Sequence, residues 1–360
     1  MGKHTVVPFG PQHPVLPEPI HLDLELDDEK VVRAIPSIGY IHRGLEKLVE
    51  KREFKEYVFI AERICGICAF GHGWGYCKSV EGLMNIEIPL RAKYLRTIWH
   101  ELSRIHSHLL WLGLMADGMG FESLFMHSWR LREQVLDIFE KTTGGRVIFS
   151  ACKIGGVRRD IEDSELHGIA TILKGMRDEV RTITDIFFKE PTSVSRLKDV
   201  GILSKEAAIA TCAVGPMVRA SGIPLDYRVA DTSGVYRELN FTPVSTDTCD
   251  CYGRCWVRVQ EIFASLDMIC QAIEKIPAGD IAVPVKGNPN GEYFARLEQP
   301  RGEAFYYVKG NNTTHLTRFR VRTPTNMNLP AMVEALKGCD YADVPMIVLT
   351  IDPCISCTER

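Results

Sequence analysis

The feature of the sequence that most constrains the fold is a pair of Cys-x-x-Cys motifs at opposite ends of the 360-residue chain. The first pair is Cys65 and Cys68, and the second is Cys354 and Cys357. Two intervening residues let both sulfurs of a pair point at one metal from a tight turn. Two such turns brought together offer four thiolates, a soft donor set that suits zinc, iron–sulfur clusters, copper(I) or nickel. The motifs therefore predict a fold that brings its two ends together around a metal.

A structural zinc site with four cysteines is the simplest interpretation of this donor set. The two pairs of such a site usually lie about 15–20 residues apart, whereas these two pairs lie at opposite ends of the chain. A large fold held together by zinc stays an open alternative on spacing alone. The donor set indicates a four-thiolate metal site and does not identify the metal.

Composition narrows the class of protein. Hydrophobic residues make up 45% of the chain, which is enough for a large core. The formal net charge is −3 and the basic residues are scattered, so we expect no nucleic-acid partner. We find no segment of about 20 uninterrupted apolar residues and no export signal. We therefore expect a soluble or peripheral protein in the reducing cytoplasm, where paired cysteines hold metals more often than disulfides.

The hydrophobic periodicity predicts a mainly α fold with a helical-bundle core, a small N-terminal β-hairpin region and short β decorations. We expect a single domain over residues 1–360. Within it we expect a β-rich region at 1–40, a helical core at 41–277 and a mixed segment at 278–360 that carries the second motif.

Individual elements follow from the same patterns. Helices are expected near 41–55, 94–109, 131–139, 162–188 and 254–276. Strands are expected near 21–26, 30–35, 304–308, 316–321 and 345–351.

The two motifs, read with their neighbours, carry a resemblance. The segments 63–72 (Arg-Ile-Cys-Gly-Ile-Cys-Ala-Phe-Gly-His) and 352–357 (Asp-Pro-Cys-Ile-Ser-Cys) resemble the two signature motifs of nickel–iron hydrogenase large subunits. Other segments are similar to the quinone-site subunit of respiratory complex I, a related protein that lacks the four cysteines. These segments are 9–14, 39–47, 154–157 and 215–222. A chain with both sets looks like the large subunit of an energy-converting, Ech-type (group 4) hydrogenase.

The resemblance implies a fold, a cofactor and an activity. The fold would be that of a nickel–iron hydrogenase large subunit, and the chain would be the catalytic subunit of the enzyme. Cys65 and Cys354 would be terminal nickel ligands, and Cys68 and Cys357 would bridge nickel to iron. The iron would also carry carbon monoxide and cyanide. The reaction would be the reversible conversion of two protons and two electrons to H₂.

Partners are implied in the same way. Electrons would come from ferredoxin through a [4Fe–4S] cluster in an iron–sulfur small subunit, with a ferredoxin-like subunit and integral-membrane ion-translocating subunits in the same complex. The chain would lie at the cytoplasmic face of the cell membrane, held there by the membrane subunits. The alternative is a complex I-like electron-transfer subunit without hydrogenase activity. Retention of all four cysteines argues against this alternative.

Five further residues acquire roles from the resemblance. Glu46 matches the proton-transfer glutamate of the family, although a glutamate considered alone is more often a solvated helix charge. Arg301 resembles the arginine held over the open side of the metals, with Asp117 and Asp352 as the acids beside it. His72 would donate a hydrogen bond to a bridging thiolate.

Two other sequence features do not indicate further metal sites. A C-x-C-x₃-C cluster at Cys249, Cys251 and Cys255 is interpreted as ordinary buried thiols, because its surroundings resemble a complex I segment without a metal. Many relatives of the family carry a histidine after the second motif, where this chain has Arg360. That difference puts a structural magnesium site in doubt.

Overall fold

The computed structural model describes residues 5–360, and its N-terminal part is a three-stranded antiparallel sheet. The strands, in the spatial order β1-β2-β3, are β1 (Thr5–Phe9), β2 (His21–Asp27) and β3 (Lys30–Ser37). Leu22 and Leu24 on β2 are buried because alternate side chains of this strand face the core. The expected hairpin is confirmed.

The helix expected at 41–55 is wrong. Only a short 3₁₀ helix forms there, at Leu45–Glu50. Gly44 precedes it with a φ of 65°, in the left-handed region that a continuous α-helix does not contain. A continuous helix over 41–55 would place His42 and Glu46 on one face, but His42 lies before this glycine and outside the short helix.

Most of the remaining chain up to residue 275 is helical. The elements are α1 (Tyr57–Glu62), α2 (Ala69–Leu83), α3 (Leu90–Gly118), α4 (Glu122–Thr143), the two-residue strands β4 (Cys152–Lys153) and β5 (Gly156–Val157), α5 (Asp163–Lys189), α6 (Pro191–Leu197), α7 (Lys205–Ala210), α8 (Pro216–Arg219) and α9 (Cys251–Lys275). The helices expected near 94–109, 131–139, 162–188 and 254–276 are confirmed as parts of α3, α4, α5 and α9. Gly144, with a φ of 85°, ends α4 in the left-handed conformation typical of a glycine C-cap.

Helix α3 is the central element of the fold. Its 29 residues are buried along nearly the whole length, and it packs against α4 on one side and α9 on another. Polar side chains on α3, among them Glu101, Arg104 and Ser107, are buried together with its apolar ones. A buried polar group is costly unless it is hydrogen-bonded. We therefore expect the polar side chains of this helix to have hydrogen-bond partners in the interior.

The C-terminal segment forms a second three-stranded antiparallel sheet followed by short helices. These elements are β6 (Asn290–Gln299), β7 (Gly302–Asn311), β8 (Leu316–Arg322), α10 (Pro324–Leu336), α11 (Val344–Ile351) and α12 (Ile355–Glu359). The expected strands at 304–308 and 316–321 are confirmed within β7 and β8, and β6 was missed among the Gly, Pro and Asn residues of this region.

The strand expected at 345–351 is wrong, since these residues belong to α11. A short apolar run fits a buried strand and a buried helix equally well by periodicity. Here Pro345 lies in the first helical turn, where its fixed φ and missing N–H are compatible with a helix. Helix α11 then packs against α10, α3 and α9.

Helix accounts for 51% of the residues and strand for 15%. The mainly α description is therefore too simple, and the architecture is a mixed helical and sheet fold. One cluster of buried apolar side chains runs from Phe9 to Ile355. The four motif cysteines form a separate small buried cluster, with Ile67 packed against it.

Gly75 on α2 provides a test of this packing. A Cβ at Gly75 would lie 2.3 Å from the Tyr306 ring, which is fully buried. We expect Gly75→Ala to lower the free energy of unfolding by about 1–3 kcal/mol through overpacking, as measured by denaturant unfolding. The matched control is Gly168→Ala, at an exposed site in α5 where a Cβ meets nothing within 4 Å. The control should gain up to about 1 kcal/mol, and an equal loss in both variants would contradict the packing described.

Candidate metal centre

The structure brings the four motif cysteines together. The Sγ atoms of Cys65 and Cys354 are 3.2 Å apart, and those of Cys68 and Cys357 are also 3.2 Å apart. The side chains are at most 3% exposed, and the Sγ atoms of Cys65, Cys68 and Cys357 lie within 4.8 Å of one another. Sulfurs this close and this buried make a preformed pocket for a soft metal.

Each motif is a turn at the start of a helix, with backbone N–H groups directed at a sulfur. Cys65 Sγ accepts from the N–H of Ile67 at 3.3 Å and of Cys68 at 3.5 Å. Cys354 Sγ accepts from the N–H of Cys357 at 3.4 Å. Converging N–H dipoles favour negative charge, so both turns are built to hold thiolates.

An arginine that the sequence analysis did not single out ties the two turns to each other. Arg43 donates from Nη1 to the carbonyl of Arg63 at 2.8 Å and from Nη2 to the carbonyl of Ile64 at 2.8 Å. The same Nη2 donates to the carbonyl of Ser356 at 3.0 Å. One guanidinium thus spans the first and second motifs, using the fixed geometry of its five donors.

The sequence analysis also did not identify the carboxylate of Glu18, which contacts the second motif. Glu18 accepts from the backbone N–H groups of Ile355 and Ser356, the latter at 2.9 Å, and from Ser356 Oγ at 2.6 Å. Pro17 and Pro19 flank Glu18 and restrict its backbone. The second motif is therefore held from the N-terminal segment, although nothing in the local sequence around Glu18 indicates such a contact.

A mostly apolar cavity of about 240 Å³ opens beside Cys354, and Glu18, Arg301 and Asp352 are among the residues that line it. Arg301 donates to Asp352 twice, from Nη2 to Oδ1 and from Nε to the carbonyl, each at 2.7 Å. Its Nη1 donates to Ser107 Oγ on α3 at 3.1 Å. The arginine is thus fixed at the cavity wall by three hydrogen bonds.

His72 lies in a chain of hydrogen bonds that ends at a cysteine. Its Nε2 is 3.3 Å from Cys357 Sγ, and its Nδ1 is 3.1 Å from the hydroxyl of Tyr306. That hydroxyl accepts from Gln299 Nε2 at 2.8 Å. The hydroxyl accepts from Gln299, and its own proton goes to Nδ1 at 3.1 Å rather than to the more distant carbonyl of Gly71 at 3.4 Å. The proton of His72 is then assigned to Nε2, from which it donates to the sulfur.

Glu46 is placed differently from the other candidate residues. One of its carboxylate oxygens accepts from Arg360 Nε and from the N–H of Val321, both at 2.9 Å. The other oxygen accepts from Arg320 Nη1 at 3.0 Å. The hydrogen bonds of this carboxylate go to the end of the chain and to β8 rather than to a cysteine, and Arg360 serves as an ion-pair partner.

Asp117 does not join Arg301, and the pairing expected for it is wrong. Its side chain is exposed in the last turn of α3. Ser107, the α3 residue that does contact Arg301, lies ten residues earlier, which is about 15 Å along a helix axis. Asp352 alone of the two expected acids pairs with the arginine.

The remaining cysteines do not assemble a second centre. Within residues 5–360, the cluster at Cys65, Cys68 and Cys357 is the one group of three or more ligand side chains close enough to share a metal. Cys251 and Cys255 are buried and Cys249 is partly buried, so the first two are the ordinary thiols that we expected. Across residues 5–360, no helix is long and apolar enough to cross a bilayer.

Two family models match the chain. The model described as respiratory-chain NADH dehydrogenase, 49 Kd subunit, matches residues 118–287 and 283–360, and the model described as nickel-dependent hydrogenase matches residues 43–115. Membrane-bound hydrogenase subunit alpha of Pyrococcus furiosus is 38% identical over 98% of this chain and 87% of its own length. The chain belongs to the family that unites nickel–iron hydrogenase large subunits with the complex I 49-kDa subunit. The resemblance carried by the motifs is thereby confirmed.

Further members of the family match the chain over its full length. The carbon monoxide-induced hydrogenase of Rhodospirillum rubrum is 37% identical over 100% of both chains. A chain of the membrane-bound sulfane sulfur reductase, an archaeal respiratory membrane complex, superposes with a TM-score of 0.92 at 28% identity, covering 99% of this chain and 98% of that one. The family thus includes hydrogenases and other membrane-complex oxidoreductases, and this chain is an oxidoreductase of that group.

Removing one sulfur tests the centre directly. We expect Cys357→Ser to lower the metal content of the purified complex, relative to the wild type, by nearly all of the metal that the four cysteines hold, because a hydroxyl is a much poorer ligand for soft metals. The control is Cys212→Ser, at an exposed cysteine outside the cluster. Elemental analysis of both variants checks this, and unchanged metal in Cys357→Ser would contradict the four-thiolate site.

Proposed function

We propose that this chain is the catalytic large subunit of a membrane-associated, energy-converting nickel–iron hydrogenase. The observation that carries the proposal is the meeting of four buried thiols, two from each end of the chain, with sulfurs 3.2 Å apart. Full-length similarity to two proteins named as hydrogenases supports the same conclusion.

The donor set fits a nickel–iron centre. The first cysteines of the two motifs, Cys65 and Cys354, pair with each other, and so do the second cysteines, Cys68 and Cys357. These four thiolates would hold the nickel and the iron, with Cys65 and Cys354 as one pair of ligands and Cys68 and Cys357 as the other. When bound, such a centre, with carbon monoxide and cyanide on iron, supplies the reversible conversion of two protons and two electrons to H₂.

The residues around the sulfurs have roles that follow from their contacts. The Nε2–H of His72 points at Cys357 and draws negative charge from that sulfur, as a hydrogen bond to an anionic acceptor does. Arg301, fixed by Asp352 and Ser107, presents a permanent positive charge to the cavity beside Cys354. We propose that these two groups set the electrostatic environment in which a small apolar gas reacts.

Two carboxylates are candidates for carrying protons. Glu46 is paired with Arg320, which is mostly exposed, and with Arg360, which is mostly buried. Glu18 contacts the second motif itself and lines the cavity. We propose that both belong to the path by which protons reach and leave the cavity.

The proton path gives a specific expectation. Glu46→Gln and Glu18→Gln should each keep the metals yet lower hydrogen–deuterium exchange about a hundredfold or more, because a positioned acid or base typically contributes about 10²–10⁴ in rate. The matched control is Glu50→Gln, in the same 3₁₀ helix as Glu46 and exposed beside Lys47. Exchange is measured by mass spectrometry of the gas phase. Normal exchange in a fully metallated Glu46 variant would remove that residue from the path.

The partners of the chain are part of the proposal. We propose an iron–sulfur small subunit with a [4Fe–4S] cluster that receives electrons from ferredoxin, together with a ferredoxin-like subunit and integral-membrane ion-translocating subunits. The chain would lie peripherally at the cytoplasmic face of the membrane. Support comes from relatives described as membrane-bound or as parts of a respiratory membrane complex.

A complex I-like electron-transfer subunit is the second candidate. The 49 Kd subunit model matches residues from 118 to 360, and the sulfane sulfur reductase shows that this fold also serves other reductions in membrane complexes. The four clustered thiols favour the hydrogenase over this alternative.

Gas production separates the candidates. The complex purified without oxygen should evolve H₂ from reduced ferredoxin and should contain nickel and iron. Zinc without nickel would identify a structural zinc site, and nickel-free protein that passes electrons without producing gas would favour the complex I-like subunit.

A further inference from the structure

A cluster of fully buried charged side chains lies behind the turn that carries Arg301. It contains four carboxylates and three guanidiniums, none of them more than 5% exposed. The members are Glu101, Asp226, Glu261 and Glu298, with Arg104, Arg219 and Arg228. Burying so many charges is stable only when each is paired and hydrogen-bonded, so the distribution of partners decides the charge of the cluster.

Two of the carboxylates are well compensated. Arg228 contacts Asp226 at 2.7 Å and Glu101 at 3.0 Å. Glu101 also accepts from Ser265 Oγ at 2.6 Å and from the hydroxyl of Tyr236 at 2.7 Å. Both groups therefore stay ionised.

The other two carboxylates share one guanidinium. Arg219 contacts Glu261 at 2.6 Å and Glu298 at 2.9 Å, and it also lies 3.6 Å from Asp226. Glu261 has a further hydrogen bond from His108 at 3.0 Å.

Glu298 has less support. Its remaining oxygen accepts only a backbone N–H, that of Tyr227, at 3.1 Å. Arg104 lies closer to Glu101 and Glu261 than to the Glu298 carboxylate and donates to the Glu298 backbone carbonyl. Glu298 is thus the least compensated acid of the cluster.

The neighbouring titratable groups do not supply the missing charge. Burial lowers the pKa of His100 and of His108 to about 4, so both are neutral at pH 7. Arg258, on the same helix face as Glu261, is directed at Asp352, 3.9 Å away. Four carboxylates then face three guanidiniums, and one carboxylate is in excess.

The excess carboxylate is the one that takes a proton. Burial raises the pKa of Glu298 to about 7, and the nearby Asp226 charge adds to this shift. Burial also disfavours the charged form of Asp226, but Arg228 and Arg219 outweigh it and lower the pKa of Asp226 to about 2. Asp226 therefore keeps its charge while Glu298 changes protonation state.

The position of Glu298 links the cluster to the metal centre. Glu298 lies near the end of β6, three residues before Arg301. Its carbonyl accepts from Arg104 Nη2 at 2.7 Å and from His100 Nε2 at 2.8 Å. Gln299, the next residue, holds the Tyr306 hydroxyl that positions His72. The strand end that carries Glu298 thus orients both Arg301 and the hydrogen bonds to Cys357.

We propose that Glu298 is a proton-holding positioning residue, which takes up and releases one proton inside the buried cluster and so changes the charge behind Arg301. This inference rests on the proposed function, since the charge at Arg301 matters if the cavity beside Cys354 is where hydrogen reacts. A proton taken up at Glu298 converts a carboxylate to a neutral acid and offsets one negative charge gained by the centre.

Infrared titration of the intact complex tests the proposal without relying on activity. The wild type should show a buried carboxylic C=O band that disappears as the pH rises through about 7. Burial raises the pKa of Glu62 to about 7 as well, so Glu298→Gln should lose one component of this band and Glu62→Gln the other. The control Glu292→Gln, an exposed acid on the same strand paired with Lys309, should keep both components, and an unchanged band in folded Glu298→Gln would contradict the proposal. A wild type with no such band overturns the proposal whether or not the variant folds.

The pH dependence of stability gives a second readout. The folded pKa of Glu298 is raised, so its protonation stabilises the fold fully below about pH 4.5, and this contribution is lost as the pH rises to about 7. Relative to Glu298→Gln, the wild-type unfolding constant should rise by up to about tenfold per pH unit from about pH 5 to 7 and then level off. A constant ratio across this range would contradict the proposal.

The outcomes distinguish this inference from the proposed function. Both readouts concern the polypeptide and are expected whichever metal is bound. Suppose that nickel and gas production are found but the Glu298 band and the stability change are missing. The proposal for Glu298 is then wrong, while the proposed function stands. In an active complex, the pH profile of hydrogen–deuterium exchange should lose an inflection near pH 7 in Glu298→Gln, and an unchanged profile would overturn the positioning role.

Discussion

The approach of Cys65 to Cys354 and of Cys68 to Cys357 closes a loop that contains most of the chain, and the rest of the structure depends on this closure. The entropic cost of closing a loop rises only slowly with its length, so a large core can offset it. The protein has other contacts that hold the two motifs together besides the sulfurs. Arg43 and the carboxylate of Glu18 do so through hydrogen bonds to the backbone of the motifs.

Around this closure the polar groups form two regions with different tasks. One region contacts the sulfurs and the cavity, where His72 and Arg301 supply one hydrogen bond and one fixed positive charge. The other is the buried cluster of carboxylates and arginines on α3, α8, α9, β6 and the segment 226–228, which contains one acid more than its cations can neutralise. The end of β6 belongs to both regions, and Gln299 and Arg301 follow Glu298 within three residues. The charge of the buried cluster is thereby connected, through the end of β6, to the charge of Arg301 at the cavity.

Much of the site could be predicted because its residues lie in short motifs whose chemistry is local. The spacing of the cysteines, His72 and the Asp352–Arg301 pair all follow from the motifs or their family resemblance. Arg43, Ser107 and Glu18 could not be found this way, because their roles arise from contacts between segments distant in sequence. The prediction of a strand at 345–351 was wrong because this run, apolar except for Thr350, carries no clear period. Gly44 prevented the helix expected around Glu46.

The infrared spectrum of the complex, purified without oxygen from its own host, tests the central claim most directly. A nickel–iron centre held by the four cysteines predicts sharp bands from carbon monoxide and cyanide bound to iron, in protein that contains nickel and iron. A fully metallated complex without those bands would contradict the account and would leave the four thiols as a zinc or simple iron–sulfur site.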